Sequence, residues 1–138
     1  MSDAARPTLD QLRAICAASP FDAWAGFDLV AAQDGRAELR VAQRADLLQQ
    51  SAFLHAGVLG ALIDRAAGFA AASVAGGVIT ASYQTNMYRP AVGEAFVARA
   101  RVVRAGKRQI FAEAEVFALS GGQETLVAGG TAILMTLG

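Results

Sequence analysis

Residues 49–75, QQSAFLHAGVLGALIDRAAGFAAASVA, read as one long helix that is apolar almost all the way round. Val58, Leu59, Leu62, Ile63, Ala66 and Phe69 spread around its axis and leave no polar face for water, so such a helix has to be buried. Yet Asp64 sits in its middle and His55 at its entrance. Between Leu47 and Tyr88, these two and Arg65 are the only side chains able to carry charge near neutral pH. An acid in that setting needs a bonding partner or a task.

The flanking sequence shows what must cover the helix. Upstream, Thr8 followed three residues later by Gln11 forms a capping box that opens an N-terminal helical segment within residues 1–20, ending near Ser19-Pro20. Cys16 lies on its apolar stripe with Leu12 and Ile15 and reads as a packing residue. After a connector holding Phe21 and Trp24, two strand-like runs, 27–33 and 36–43, flank Asp34-Gly35, the strongest short-range hairpin signal. Gly76-Gly77 closes the central helix. Four strands follow, 78–89, 94–103, 109–119 and 124–137, separated by turn-forming stretches.

Period-two alternation places Ile79, Ala81, Tyr83 and Met87 on one face of the first of these strands and Ile110, Ala112, Ala114 and Val116 on one face of the third. A hairpin turning near Gly106 sets Arg99 opposite Glu113 as a charge pair on a solvated face. The order of elements predicts an α+β domain in which a curved antiparallel sheet wraps around the one long central helix.

Composition narrows the function. A chain of 138 residues is one domain, 1–138, able to bury about two-thirds of its unfolded surface. Twelve basic and twelve acidic residues cancel, which removes the electrostatic footprint of a nucleic-acid binder. The single cysteine excludes an internal disulfide and fits a reducing compartment. No run reaches the roughly 18 uninterrupted apolar residues of a membrane span, and the N-terminal residues lack the apolar core of a secretory signal. The expectation is a cytoplasmic protein with neither nucleic acid nor membrane among its partners.

His55-Ala56-Gly57, Asp64 nine residues after the histidine, and Tyr88-Arg89-Pro90-Ala91-Val92-Gly93 after the next strand together resemble the hotdog-fold acyl-CoA thioesterases of the phenylacetate-degradation (PaaI-like) type. The resemblance covers the chain from Phe27 onward. It implies a hotdog fold, an acyl-CoA substrate, and no metal or other cofactor. It also implies site residues. Asp64 would be nucleophile or general base, with Gln49 and Thr80 orienting water or the carbonyl. The N–H groups of Ala56 and Gly57 at the helix N-terminus would stabilise the oxyanion, beside His55. The chain departs from the family's His-Gly-Gly at Ala56, where the N–H survives but a methyl group is added. Arg89 and the basic turn Arg104, Lys107 and Arg108 are the candidates for the CoA phosphates.

Nine residues of helix advance about 13.5 Å and rotate about 900°, so His55 and Asp64 stand apart on opposite sides of it. One subunit cannot unite them. A homodimer with the two central helices antiparallel would bring Asp64 of one chain to the helix entrance of the other, giving two sites at the subunit interface. A homotetramer, as a dimer of such dimers, is compatible with this. Two rivals remain. A hotdog hydratase would carry its Asp and His close together at the front of the helix, which this chain does not. A non-catalytic acyl-CoA-binding or regulatory hotdog dimer is favoured by Ala56.

Overall fold

The computed structural model describes residues 6–138, so the first five residues of the expected helical segment 1–20 lie outside the described residues. Thr8 Oγ1 accepts from the Gln11 N–H at 3.1 Å and Gln11 Oε1 accepts from the Thr8 N–H at 2.9 Å, completing the capping box that opens α1 (Leu9–Ala18). What reads as a connector is a second short helix, α2 (Pro20–Ala25). Proline at its first position presets the helical φ, but six residues are too few to reveal a periodicity. Gly26, at φ 80°, turns the chain out of it.

The hairpin forms as expected. β1 (Asp28–Gln33) and β2 (Arg36–Ala42) are joined by Asp34 and Gly35 at φ 54° and 79°, both left-handed, as a tight twisted hairpin requires. The Gly35 N–H donates to Ser73 Oγ at 2.9 Å and so ties the turn to the central helix.

That helix, α3, runs Ala56–Ala75 rather than from residue 49. In the preceding segment the Gln49 carboxamide oxygen accepts from the N–H groups of Ser51 and Phe53, and the Gln49 N–H donates to Phe53 O at 2.8 Å. Side chain and backbone together hold a loop there, and apolar periodicity alone does not register such local competition. The helix packs against every strand of the sheet except where one stripe stays partly open. Gly57 is exposed and Ala61, Asp64, Arg65 and Gly68 are half-buried, at spacings of three and four residues. By length and mean hydropathy α3 would pass for a membrane span, but two-thirds of it is buried within the fold, the setting of a core helix.

Four further strands, β3 (Val78–Met87), β4 (Ala95–Ala105), β5 (Gln109–Ser120) and β6 (Gln123–Thr136), complete an antiparallel sheet of order β1-β2-β4-β5-β6-β3. Leu39, Leu62, Ile63, Phe96, Val116 and Leu134 fill the space between helix and sheet. In β5 the expected alternation holds, with Ile110, Ala112, Ala114 and Val116 all buried. In β3 it does not: Ile79, Tyr83 and Met87 are 58%, 50% and 41% exposed. β3 is an edge strand, and a bulge between Thr80 and Ser82 breaks its pleat. The register of β4 and β5 also differs from expectation. Arg101 faces Glu113, at 2.6 Å, and Arg99 faces Glu115, because the turn centres on Lys107-Arg108 rather than on Gly106, with Ala105 opposite Ile110. Arg99 instead bridges Glu38 and Glu124 at 2.9 and 2.6 Å.

Candidate active site

Asp64 lies on the partly open stripe of α3, and Thr80 Oγ1 donates to its Oδ1 at 2.6 Å. The contact follows from the chain path. Gly76, at φ 75°, lets the chain reverse directly after α3, so the third residue of β3 comes back beside the helix three turns before its end. One carboxylate oxygen is thereby held and the other is left for chemistry.

A cavity of 290 Å³ opens on this pair. Leu12, Ile15 and Gln11 of α1 form one wall, and Gly68, Phe69 and Ala72 of α3 form the other. The α1 wall is invisible to sequence reasoning, which supplies no contact between Leu12 and a helix fifty residues away. The one available signal is Asp22, an acid in the otherwise apolar stretch PFDAWAGF. Asp22 is 1% exposed, and Arg65 Nε and a terminal guanidinium nitrogen both donate to its Oδ2 at 2.7 Å. The guanidinium also stacks on Phe69, 4.7 Å from the ring centre. This ion pair fastens α2, and through it α1, to the central helix. Arg65 therefore lines the cavity with its charge already balanced. Beneath it, burial and the negative Asp22 push the Cys16 thiol up to about 11, consistent with its packing role.

The other expected site residues gather at the helix entrance. His55 is the N-cap of α3, and its Nδ1 accepts from the Gly57 N–H at 2.8 Å. That N–H, expected to face a thioester oxygen, is occupied by the imidazole. The N–H of Ala56, the first helical residue, has no intrahelical acceptor and is the donor that remains. A Cβ on residue 57 would stand 3.0 Å from His55 Nδ1, so the second glycine of the motif is the one the cap requires. Gln49, its carboxamide oxygen spent on the loop, has its amide NH₂ to offer. None of these four lines the Asp64 cavity. Within one protomer the structure brings Asp64 together with Thr80, and His55 with Ala56, Gly57 and the Gln49 loop, as two separate groups.

The cationic candidates divide in the same way. Arg89 is exposed on the segment beside the helix entrance, where the Leu54 N–H donates to Ala91 O at 3.0 Å. Arg104, Lys107 and Arg108 are exposed at the opposite end of α3, where the Leu137 N–H donates to Gly77 O and that of Thr136 to Arg108 O. Lys107 borders a wide depression of 780 Å³ there with Val74, Ile110 and Leu137. A helix of 20 residues, about 30 Å long, separates the two positions.

Residues 52–125, just over half of the chain, match the family model of the thioesterase superfamily. A thioesterase family protein from Silicibacter pomeroyi is 34% identical over 99% of this chain and 100% of its own, with a TM-score of 0.89. A conserved protein from Pseudomonas aeruginosa is 30% identical over 95% of this chain and 100% of its own, with a TM-score of 0.81. The PaaI protein of the E. coli phenylacetic acid degradation operon shares the fold, with a TM-score of 0.83 over 91% of this chain and 89% of its own at 21% identity. No curated protein matches the chain.

Proposed function

The chain belongs to the thioesterase superfamily, and from that premise we propose that it hydrolyses acyl-CoA thioesters to the free acid and CoA at sites shared between two subunits. The observation that carries the reading is Asp64, held by Thr80 at the mouth of a largely apolar cavity. A carboxylate with one oxygen fixed can present the other either to the thioester carbonyl or to a water. In the first route a mixed anhydride forms, the CoA thiol leaves, and water cleaves the anhydride. In the second, Asp64 takes the proton of the attacking water. In both, negative charge builds on the carbonyl oxygen, and the free Ala56 N–H at the positive end of α3 is suited to receive it. Gln49 offers its amide to the water or carbonyl, and His55 fixes the first turn.

Asp64 and the helix entrance serve one reaction only across a dimer. β3 supports that assembly: it is an unpaired sheet edge on which Ile79 and Tyr83 are half-exposed, the kind of edge that pairs with another chain. Arg89 near the entrance, and Arg104, Lys107 and Arg108 of a neighbouring subunit, are the groups to meet CoA phosphates. One observation favours a second reading, a non-catalytic acyl-CoA-binding dimer. With Gly57 N–H given to His55, a single backbone donor is left for the oxyanion.

A thiol-release assay over short, medium-chain and aromatic acyl-CoAs decides between them. Turnover is expected, with a fall of about 10²–10⁴-fold in Asp64→Asn. A parent protein that binds these compounds and releases no thiol would establish the binding reading.

A further inference from the structure

The cavity extends past Asp64, and a glycine on its floor has no local reason to be there. Gly68 lies four residues beyond Asp64, about 6 Å further along the same face of α3. An ideal Cβ on it would meet nothing within 4 Å, whereas at Gly60 it would touch Tyr83 and at Gly57 it would press on His55. Its φ is helical, so no left-handed conformation calls for glycine either. Glycine inside a helix is less stable than alanine. What the missing side chain creates is space, opposite Leu12 and Ile15 of α1.

We propose that this cavity receives the acyl chain and that Gly68 sets how long that chain can be. The proposal rests on the thioesterase reading and deepens it. At about 30 Å³ per water-sized group, 290 Å³ holds roughly ten heavy atoms, the size of a medium-chain acyl or an arylacetyl group. With bonds of about 1.5 Å, a chain leaving the carbonyl at Asp64 reaches Gly68 after roughly five carbons, so only longer groups pass it. The far end of the acyl group is uncharged. Among the described residues the one cation on the wall, Arg65, is already paired with Asp22, and none of them is left to neutralise a terminal carboxylate. Within the dimer, the subunit that contributes Asp64 also houses the acyl chain, and its partner presents the helix entrance to the thioester.

The test is a graded series at position 68, Gly68→Ala, Gly68→Val and Gly68→Leu, with Ile15→Trp intruding from the opposite wall. Each is assayed on butyryl-, octanoyl- and phenylacetyl-CoA. The ratio of octanoyl to butyryl kcat/KM is expected to fall stepwise with side-chain size and by at least about tenfold in Gly68→Leu. Gly68→Ala should also melt higher than the parent, and a cooperative melt of each of the other three variants establishes that the series folds. An unchanged ratio in both Gly68→Leu and Ile15→Trp overturns the proposal while leaving hydrolysis intact. Should the parent hydrolyse nothing, calorimetry with octan-1-ol still judges the cavity. Binding to the parent and not to Gly68→Leu supports it, and no binding to the parent refutes it.

Discussion

Gly57 is small because His55 folds back over it. The two residues after the histidine look equivalent in a motif, yet the structure gives them different duties: Ala56 carries an exposed methyl, while residue 57 has an imidazole nitrogen 3.0 Å from where a Cβ would go. Gly57→Ala should therefore displace the cap and cost about 1 kcal/mol in urea unfolding, with a larger loss in thiol release, whereas Ala56→Gly leaves the cap in place. The sequence reveals that an N–H survives at Ala56. It does not reveal that the imidazole takes the next one, because a side-chain rotamer made that choice. Cys16 is simpler, since an apolar stripe in a capped helix already implies burial. Its thiol is raised from an ordinary 9.0 to about 11, so folding favours the protonated form. The stability it contributes is fully present below about pH 9 and lost as pH climbs from 9 towards 11, where the unfolded thiol ionises first. Urea midpoints between pH 8 and pH 11 should show that decline, and Cys16→Val should flatten it.

Elements with a strong local signature are legible in the sequence: the Thr8–Gln11 capping box, the Asp34-Gly35 hairpin and the body of α3 all form where residue types alone place them. What escapes is set by contacts distant in sequence or by irregular backbone. The helix start yields to a loop that Gln49 bonds from within, and a turn centred beyond Gly106, on Lys107-Arg108, moves Arg99 away from Glu113. The α1–α2 pair matters most among these, because it walls the cavity and is held by one buried ion pair. Removing one member of such a pair strands a charge, and Asp22→Asn is expected to cost about 3 kcal/mol or more. Replacing both, Asp22→Leu with Arg65→Met, should recover most of that. A double-mutant cycle in urea measures the coupling, and additive effects would mean that the pair does not hold these helices.

At the scale of the whole molecule, the proposed reaction leaves the protomer chemically unfinished. Its acid stands about 10 Å along α3 from Gly57 at the helix entrance, and the apolar residues of β3 that alternation assigns to a core are exposed instead. The proposed dimer answers both features: a second copy would cover the β3 edge and set one chain's Asp64 against the other's entrance. The proposed dimer follows from the spacing of His55 and Asp64, since nine residues of helix keep them from meeting in one chain; the cavity wall has no such signal in the sequence. Subunit mixing tests it directly. Asp64→Ala and His55→Gln homodimers should each be nearly inactive. After unfolding and refolding together in equal amounts, half of the dimers are mixed, and each mixed dimer has one site with both groups intact. Activity should therefore return to about a quarter of the parent's in the thiol-release assay. If each site were built from a single chain, every site in the mixture would still lack one group, and no activity would return.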